Sequence, residues 1–421
     1  MFKIECDVAV IGGGPAGLAA AAAAKEQGAA KVIIIERDTS LGGILQQCVH
    51  PGFGLTFFGK ELTGPEYSGR FAKKAIAAGV EFLLDTMVLE VRKDAGVLCT
   101  NAEHGITMVQ AKSVIFAMGC RERTRGNIQI PGTRPAGVYT AGTAQRLINR
   151  QNEMVGKKAV ILGSGDIGMI MARRLTLEGA KVVAVVEIMD FLAGLTRNRV
   201  QCLDDFNIPL LLSHTITRIV GNRRVEGVYV ARVGPDKKPI PGTEEFFECD
   251  TLLLSVGLIP ENELSRGADI QIDSVTNGPL VNQYMQTSFP ALFACGNVVH
   301  VNDLVDNVSA ESITAGKAAA RYALGTLPSA VKELRCIPGK NVRYLCPQRI
   351  ALTEENADVQ FYFRVLEPDS AVEISAACNG SELAKKLESR VSPGEMQHIK
   401  INTGALSGDS VVVDVVKREE K

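Results

Sequence analysis

A glycine-spaced strand–turn–helix–strand unit occurs twice in this chain, and it leaves few folds open. The first copy is CDVAVIGGGPAGLAAAAAAKEQGAAKVIIIE, residues 6–36, and the second is KKAVILGSGDIGMIMARRLTLEGAKVVAVVE, residues 157–187. In the first, a β-branched run (Val8 to Ile11) reads as a buried parallel strand, followed by an Ala-rich helix from about Pro15 to Gln27 and a second strand ending at Glu36. Gly12, Gly14 and Gly17 make GxGxxG, and Gly163, Gly165 and Gly168 repeat it. Glu36 and Glu187 each fall nineteen residues beyond the last glycine of their own copy.

Each part has a physical task in holding a dinucleotide. The first glycine allows the tight turn, the second lets a pyrophosphate approach the backbone, and the third lets helix and strand pack closely. Free N–H groups and the dipole at the helix start favour phosphate. The acid accepts hydrogen bonds from the adenosine ribose. Glu187 also favours NAD(H) over NADP(H), because a carboxylate repels a 2′-phosphate; Arg197 and Arg199, in the following segment, leave the phosphorylated form open.

Length sets the number of units: 421 residues exceed one core and suggest about two to four domains. Lys+Arg 46 against Asp+Glu 47 leaves no basic face for nucleic acid. The ten cysteines form no CxxC, no CxxxxC and no zinc spacing with the five histidines, so no metal site is expected, and reduced thiols in a cytoplasmic protein are. Glu5 and Asp7 precede the first apolar run, unlike a signal peptide, and the longest apolar stretch, Ala16 to Ala24, is far too short for a membrane span.

The expected fold class is α/β, with two Rossmann-like dinucleotide-binding domains, the second inserted in the first, plus a small C-terminal all-β domain. Residues 1–150 and 285–330 form the first domain, 151–284 the second, and 335–421 a β-sandwich-like module. Helices are expected at Pro65 to Ala78 and Ser309 to Leu324. In the module Val359, Phe361, Phe363 and Val365 alternate with Gln360, Tyr362 and Arg364, as in a half-buried strand. The module is either a docking or oligomerisation surface or an inert appendage.

The two fingerprints, the strand end Ala117-Met118-Gly119 and the stretch TSFPALFACGN at 287–297 together resemble the two-dinucleotide-binding-domain flavoproteins, the pyridine nucleotide–disulfide oxidoreductase superfamily. The resemblance covers roughly residues 5–325. It implies FAD at the first site, held through Gly12, Gly14, Pro15, Ala16, Gly17, Glu36, Arg37, Gly42, Gly43, Ala117, Gly119, Gly296 and Asn297. It implies NAD(H) at the second, through Gly163, Gly165, Asp166, Ile167, Gly168 and Glu187. The superfamily usually ends its late motif in Gly-Asp where this chain has Gly296-Asn297, and an amide still bonds a hydroxyl. The cysteine pairs of the disulfide branch are missing, so dithiol exchange has no second sulfur at Cys48.

A narrower resemblance rests on AMGCRERTRGNIQIPGTRPAGVYTAGTAQRLI at 117–148, which is similar to the FAD/NAD subunits of opine dehydrogenase, hydrogen cyanide synthase and heterotetrameric sarcosine oxidase. GILQQCVHPGFGLTFFGKELTGPEYSGRF, from Gly43, and VVHVNDLVDNVS, from Val298, resemble the flavoproteins that accompany a glycerol-3-phosphate dehydrogenase-like subunit. The role implied is the NAD-linked redox subunit of a complex with a second dehydrogenase subunit, with a homo-oligomer also open.

Hydride transfer between nicotinamide and flavin asks for positioning rather than a protein acid or base. Cys48 therefore has three readings: a sulfenic-acid centre, a thiol lining the flavin, or an inert packed cysteine. His50 is a relay or a loop histidine turned away by Pro51. His300, Asp303 and Asp306 follow the Gly296-Asn297 motif, ahead of a helix expected near Val308 whose start would stabilise a reduced, anionic flavin; the bland reading is solvated acids and a loop histidine. Arg121 and Arg123 contact FAD phosphates or a partner, or are solvent-exposed. Two other functions stay open: a stand-alone NADH oxidase or peroxidase using Cys48, and a non-catalytic nucleotide-binding scaffold.

Overall fold

The computed structural model describes residues 2–418. Its chain divides into two compact units, residues 1–120 with 260–421, and residues 121–259. The chain thus leaves the first unit and returns to it, as an inserted second domain requires. The crossings lie at 120/121 and 259/260 instead of 150/151 and 284/285. Strand pairing gives the reason at the first crossing: Val138–Thr140 lies parallel to Thr251–Leu254, with Tyr139 opposite Leu253, inside the second sheet. At the other, Asn262 donates through Nδ2 to the carbonyl of Val298 at 2.9 Å, tying the 260–284 stretch into the first unit.

In the first unit, Phe2–Ile11 runs parallel between Val32–Ile35 and Gly105–Phe116, with Val10 opposite Ile34 and Ile115. Leu292–Ala294 adds a further parallel strand against Gly105–Phe116, so residues from both ends of the insertion complete one sheet. Helix Pro15–Glu26 carries nine consecutive buried residues from Ala16 to Ala24. Its alanines are there because helix Val305–Ala323 crosses it at very close range: a Cβ on Gly316 would sit 2.0 Å from the carbonyl oxygen of Ala20. Helix Gly64–Ala77 starts with a capping box in which Thr63 and Glu66 satisfy each other's backbone N–H groups, a device that contributes about 1 kcal/mol.

The second unit has a five-stranded parallel sheet in the order Val138–Thr140, Thr251–Leu254, Lys158–Leu162, Lys181–Val186, Leu210–Leu211. An antiparallel three-stranded sheet, His214–Gly221, Val225–Arg232 and Glu245–Glu248, is added to it.

Residues 332–417 form the strand-rich C-terminal region, part of the first unit. A five-stranded and a three-stranded sheet enclose one apolar core, in which Leu334, Ile374 and Val413 meet Phe361, Phe363 and Ile399. Val359, Phe361, Phe363 and Val365 are all buried here. Tyr362, on the opposite face of that strand, is buried too, so this face is not simply solvated. No helix among the described residues is long and apolar enough to cross a membrane.

Candidate functional site

The first glycine turn sits at the carboxyl ends of Phe2–Ile11 and Gly105–Phe116, where open α/β sheets bind ligands. Gly12 donates its N–H to the carbonyl of Ile35 at 2.9 Å and has φ +105°, in the left-handed region that favours glycine. A Cβ there would lie 2.6 Å from the Ala117 carbonyl oxygen, and one on Gly17 would lie 1.8 Å from that of Gly12. Gly14 differs: its added Cβ would meet nothing nearer than the Cα of Gly43 at 4.0 Å. The middle glycine therefore faces open space in front of a helix that no side chain caps and that has no acid in its first turn. That is a cradle a pyrophosphate fits.

The neighbours close around this cradle. Gly42 donates its N–H to the Gly13 carbonyl at 2.8 Å, and Gly43 lies so close that its Cβ would be 3.0 Å from the Cα of Gly14. Glu36 is buried, with one carboxylate oxygen on the Gly13 N–H and the other on the Asp38 N–H at 2.7 Å. Its charge is fixed at the end of Val32–Ile35. Pro15 is the first residue of the helix, Ala16 and Ala117 are buried, Gly119 is partly exposed and Arg37 is exposed.

Gly296 and Asn297 come to the same end of the sheet after Leu292–Ala294. A Cβ on Gly296 would press on Ala16 Cβ at 2.9 Å. Asn297 accepts the Asn302 N–H at 3.0 Å and donates through Nδ2 to Cys120 Sγ at 3.6 Å. An aspartate could only accept from that thiol, not donate to it. Cys120 enters the site in this way, unforeseen from the sequence although it directly follows Gly119. Helix Val305–Ala323 starts three residues before the expected Val308. Ahead of and within its first turn, Asn302 Oδ1, Asp303 Oδ1 and Asp306 Oδ1 are buried and find no hydrogen-bond donor among the described residues. Unpartnered acceptors on the stretch that follows Gly296 and Asn297 have bonding capacity for hydroxyl and N–H donors, groups that FAD carries.

Asp306 uses its other oxygen to accept the N–H groups of Thr56 and Phe57, at 2.8 and 3.1 Å, and so anchors the 54–60 loop. Tyr67 and Ser309 share a buried hydroxyl bond of 2.7 Å beneath it. Both lie in the stretches that carry the narrower resemblance, but nothing in the sequence singled out either residue.

Cys48 is half-buried, its thiol directed to the Ile44 carbonyl at 3.3 Å, and burial pushes it up to about 12. That is the opposite of the shift an activated thiolate needs. His50 is partly exposed, bonds the carbonyl of Pro51 through Nδ1 at 3.1 Å and rests against the Phe53 ring. His300 is fully buried and hydrogen-bonds Glu311 through Nε2, a different place from a solvated loop or an open catalytic face. His300, Glu311 and Cys346 bring three ligand-type atoms within 4.8 Å of one another. Within this group the imidazole and carboxylate bond each other directly. Arg121 and Arg123 are exposed.

The second glycine turn repeats the backbone plan. Gly163 has φ +99° and donates its N–H to the Val186 carbonyl at 2.7 Å; its Cβ would fall 2.1 Å from the Ser255 carbonyl oxygen. Ser255, missed in the sequence, also takes the Gly168 N–H on Oγ at 3.1 Å. Buried Glu187 accepts both the N–H and the hydroxyl of Ser164, at 2.8 and 2.7 Å, and the Met189 N–H at 2.9 Å. Asp166, the first residue of helix Asp166–Leu177, accepts the Leu195 N–H at 2.8 Å and the Asn198 amide at 2.7 Å, drawing the 193–198 segment towards the helix start; Ile167 follows it, partly exposed.

Comparison with known proteins agrees with this geometry. Residues 6–320 match the pyridine nucleotide-disulphide oxidoreductase family. Over 339 residues the chain is 27% identical to the glutamate synthase [NADPH] small chain of Escherichia coli (strain K12), a match covering 72% of this chain and 66%, just under two thirds, of that protein. It is 28% identical to the thioredoxin reductase of Mycolicibacterium smegmatis, covering 73% and 91% of the two chains. It is 24% identical to the hydrogen cyanide synthase subunit HcnB of Pseudomonas protegens, covering 69% and 65%. In fold it resembles T. acidophilum thioredoxin reductase, with a TM-score of 0.63 at 23% identity over 76% of this chain and 99% of that one.

Proposed function

This chain belongs to the pyridine nucleotide-disulphide oxidoreductase family, a family of FAD- and pyridine-nucleotide-dependent oxidoreductases, and from that premise we propose that it exchanges hydride between NAD(H) at the second glycine turn and FAD at the first. The observation that carries this reading is the duplication itself: two glycine turns, each at the carboxyl ends of parallel strands, each with a buried acid held at the end of the neighbouring strand. FAD supplies the two-electron chemistry, and the chain supplies placement. The turn at Gly12 and Gly14, with Gly17 packing the helix close behind it, receives the pyrophosphate, Glu36 the ribose, and Gly296, Asn297 and the loop up to Asp306 the flavin end. At the second turn the carboxylate of Glu187, set by Ser164, favours NAD(H) over NADP(H), and Arg199 is engaged with Asp204 at 3.6 Å.

The chain works, in this reading, as the NAD-linked subunit of a larger dehydrogenase whose partner handles the organic substrate, of the glycerol-3-phosphate dehydrogenase-like or amine and opine type. Two relatives are themselves named as parts of assemblies, a small chain and a subunit. The raised Cys48 thiol argues against the peroxidase alternative. Anaerobic mixing of the purified yellow protein with NADH tests the proposal: bleaching of the flavin absorbance within seconds is expected. Flavin that stays oxidised, or protein that never takes up flavin, overturns it. Substitution of Cys48 by Ser should leave the bleaching rate within about twofold.

A further inference from the structure

Residues 298–304 join the Gly296–Asn297 turn to helix Val305–Ala323, and the C-terminal three-stranded sheet with its flanking turn holds three of them, His300, Val301 and Asp303. Beyond its bond to Glu311, His300 turns Nδ1 towards the Tyr344 hydroxyl at 3.4 Å and sets its ring edge-on to Tyr344 and tilted against Tyr362. The Val301 carbonyl accepts from Arg364 Nη2 at 3.2 Å, while Arg364 Nη1 donates to the Pro393 carbonyl at 3.1 Å. Asp303 Oδ2 accepts the Met396 N–H at 2.9 Å. Asn302 passes the constraint inward through its N–H on Asn297 Oδ1. The attachment is broad: Gln283 exchanges two hydrogen bonds with the Ala351 backbone, and Gln348 two with that of Val281.

We propose that this sheet is a positioning device for the flavin: Arg364 and Tyr344 fix the 300–303 loop, and through it Asn297 and the start of helix Val305–Ala323, and so set the cofactor's potential. The proposal rests on the assignment of FAD to the first glycine turn. Its physical basis is pre-organisation. Donors and dipoles stabilise charge on a reduced ring only while they are held in place, and a loop free to move spends part of that interaction on its own ordering. The unpartnered oxygens of Asn302, Asp303 and Asp306 lie in this same stretch and can accept from FAD hydroxyl and N–H groups, which bears on affinity; the groups that bear on the potential are the free N–H groups at the start of helix Val305–Ala323. Arg364 and Tyr344 act through the loop and are positioning residues.

The test uses the purified full chain with bound FAD. Arg364→Met keeps the packing stem and removes the guanidinium, Tyr344→Phe removes only a hydroxyl, and Lys385→Gln breaks an ion pair with Glu373 elsewhere in the module. Arg364→Met should lower the equilibrium preference for the reduced cofactor about tenfold, a fall of about 30 mV for a two-electron couple. It should also weaken FAD binding severalfold and speed amide exchange over residues 297–308. Tyr344→Phe should shift all three in the same direction by less, and Lys385→Gln should shift none. Unchanged potential and FAD affinity in Arg364→Met overturn the proposal, as does an unchanged potential in Tyr344→Phe should the arginine variant fail to fold. A wild-type chain that takes up no flavin overturns the site assignment and the proposal together, which separates the two failures.

Discussion

The two glycine turns share spacing, backbone hydrogen bonds and a buried acid, yet their helix starts are built differently. At the first, Pro15 opens the helix, no acid stands in the first turn, and Gly14 faces open space. At the second, Asp166 occupies the first helical position and spends its carboxylate on Leu195 and Asn198, so a loop shares the helix start. The acids differ as well: Glu36 meets backbone N–H groups alone, whereas Glu187 also takes the Ser164 hydroxyl. On the proposed function, one fingerprint serves two occupancies. An unencumbered helix start suits a resident cofactor, and one shared with a loop suits a ligand that comes and goes.

The sharpest way to break this comparison is at the third glycine. Gly17→Ala drives a Cβ to 1.8 Å from the Gly12 carbonyl oxygen, whereas Gly168→Ala meets Ser255 Cβ at 2.7 Å and the Gly163 oxygen at 2.9 Å. The first should abolish flavin retention and cost more than about 4 kcal/mol in urea unfolding; the second should cost about half as much and leave flavin in place. At the middle glycine the effect becomes purely one of binding. Gly14→Ala finds room in the fold, so its melting temperature without cofactor should match wild type while the FAD dissociation constant rises at least tenfold in fluorescence titration.

Smaller changes sharpen the second site. Ser164→Ala removes the hydroxyl that sets Glu187 and should raise KM for NADH about fivefold and narrow the preference over NADPH, with flavin content unchanged. The smallest effect concerns acid stability. The ammonium of Lys112, 2.8 Å from the Asp7 carboxylate, holds that carboxyl below its usual range against the opposing effect of burial. A depressed folded-state value gives stability that is present above the unfolded value of about 3.9 and is lost as pH falls through the folded one. Asp7→Asn should therefore cost about 1 kcal/mol or less at pH 7, and the difference from wild type should fade below about pH 4 in urea titrations.

What the sequence disclosed was what is local. Glycine spacing, the acid nineteen residues on and the Ala-rich run all report on one strand–turn–helix, and the helix limits came within a few residues. Domain limits were less legible, because the 260–284 stretch has no strong period and is placed by distant bonds such as Asn262 to Val298. In the strand Asp358–Val365, alternation marked the core face correctly but said nothing of what covers the other. Tyr362 and Arg364 read as a solvated face because their partners stand some sixty residues earlier in the chain. His300 read as either a flavin-facing residue or a loop histidine, and neither reading foresaw its burial, because Glu311, one helix further on, and Tyr344, in another sheet, decide its surroundings.

The order in which the chain is made has a consequence for loading. The second unit is one continuous stretch, 121–259, and has every strand of its five-stranded and three-stranded sheets once residue 254 has been made. The first unit must wait for Leu292–Ala294 and helix Val305–Ala323. During synthesis the inserted unit can finish while its host still lacks a strand and the helix that backs the alanine run. On the proposed function, flavin capture therefore waits until the ribosome has passed the whole segment assigned to NAD(H).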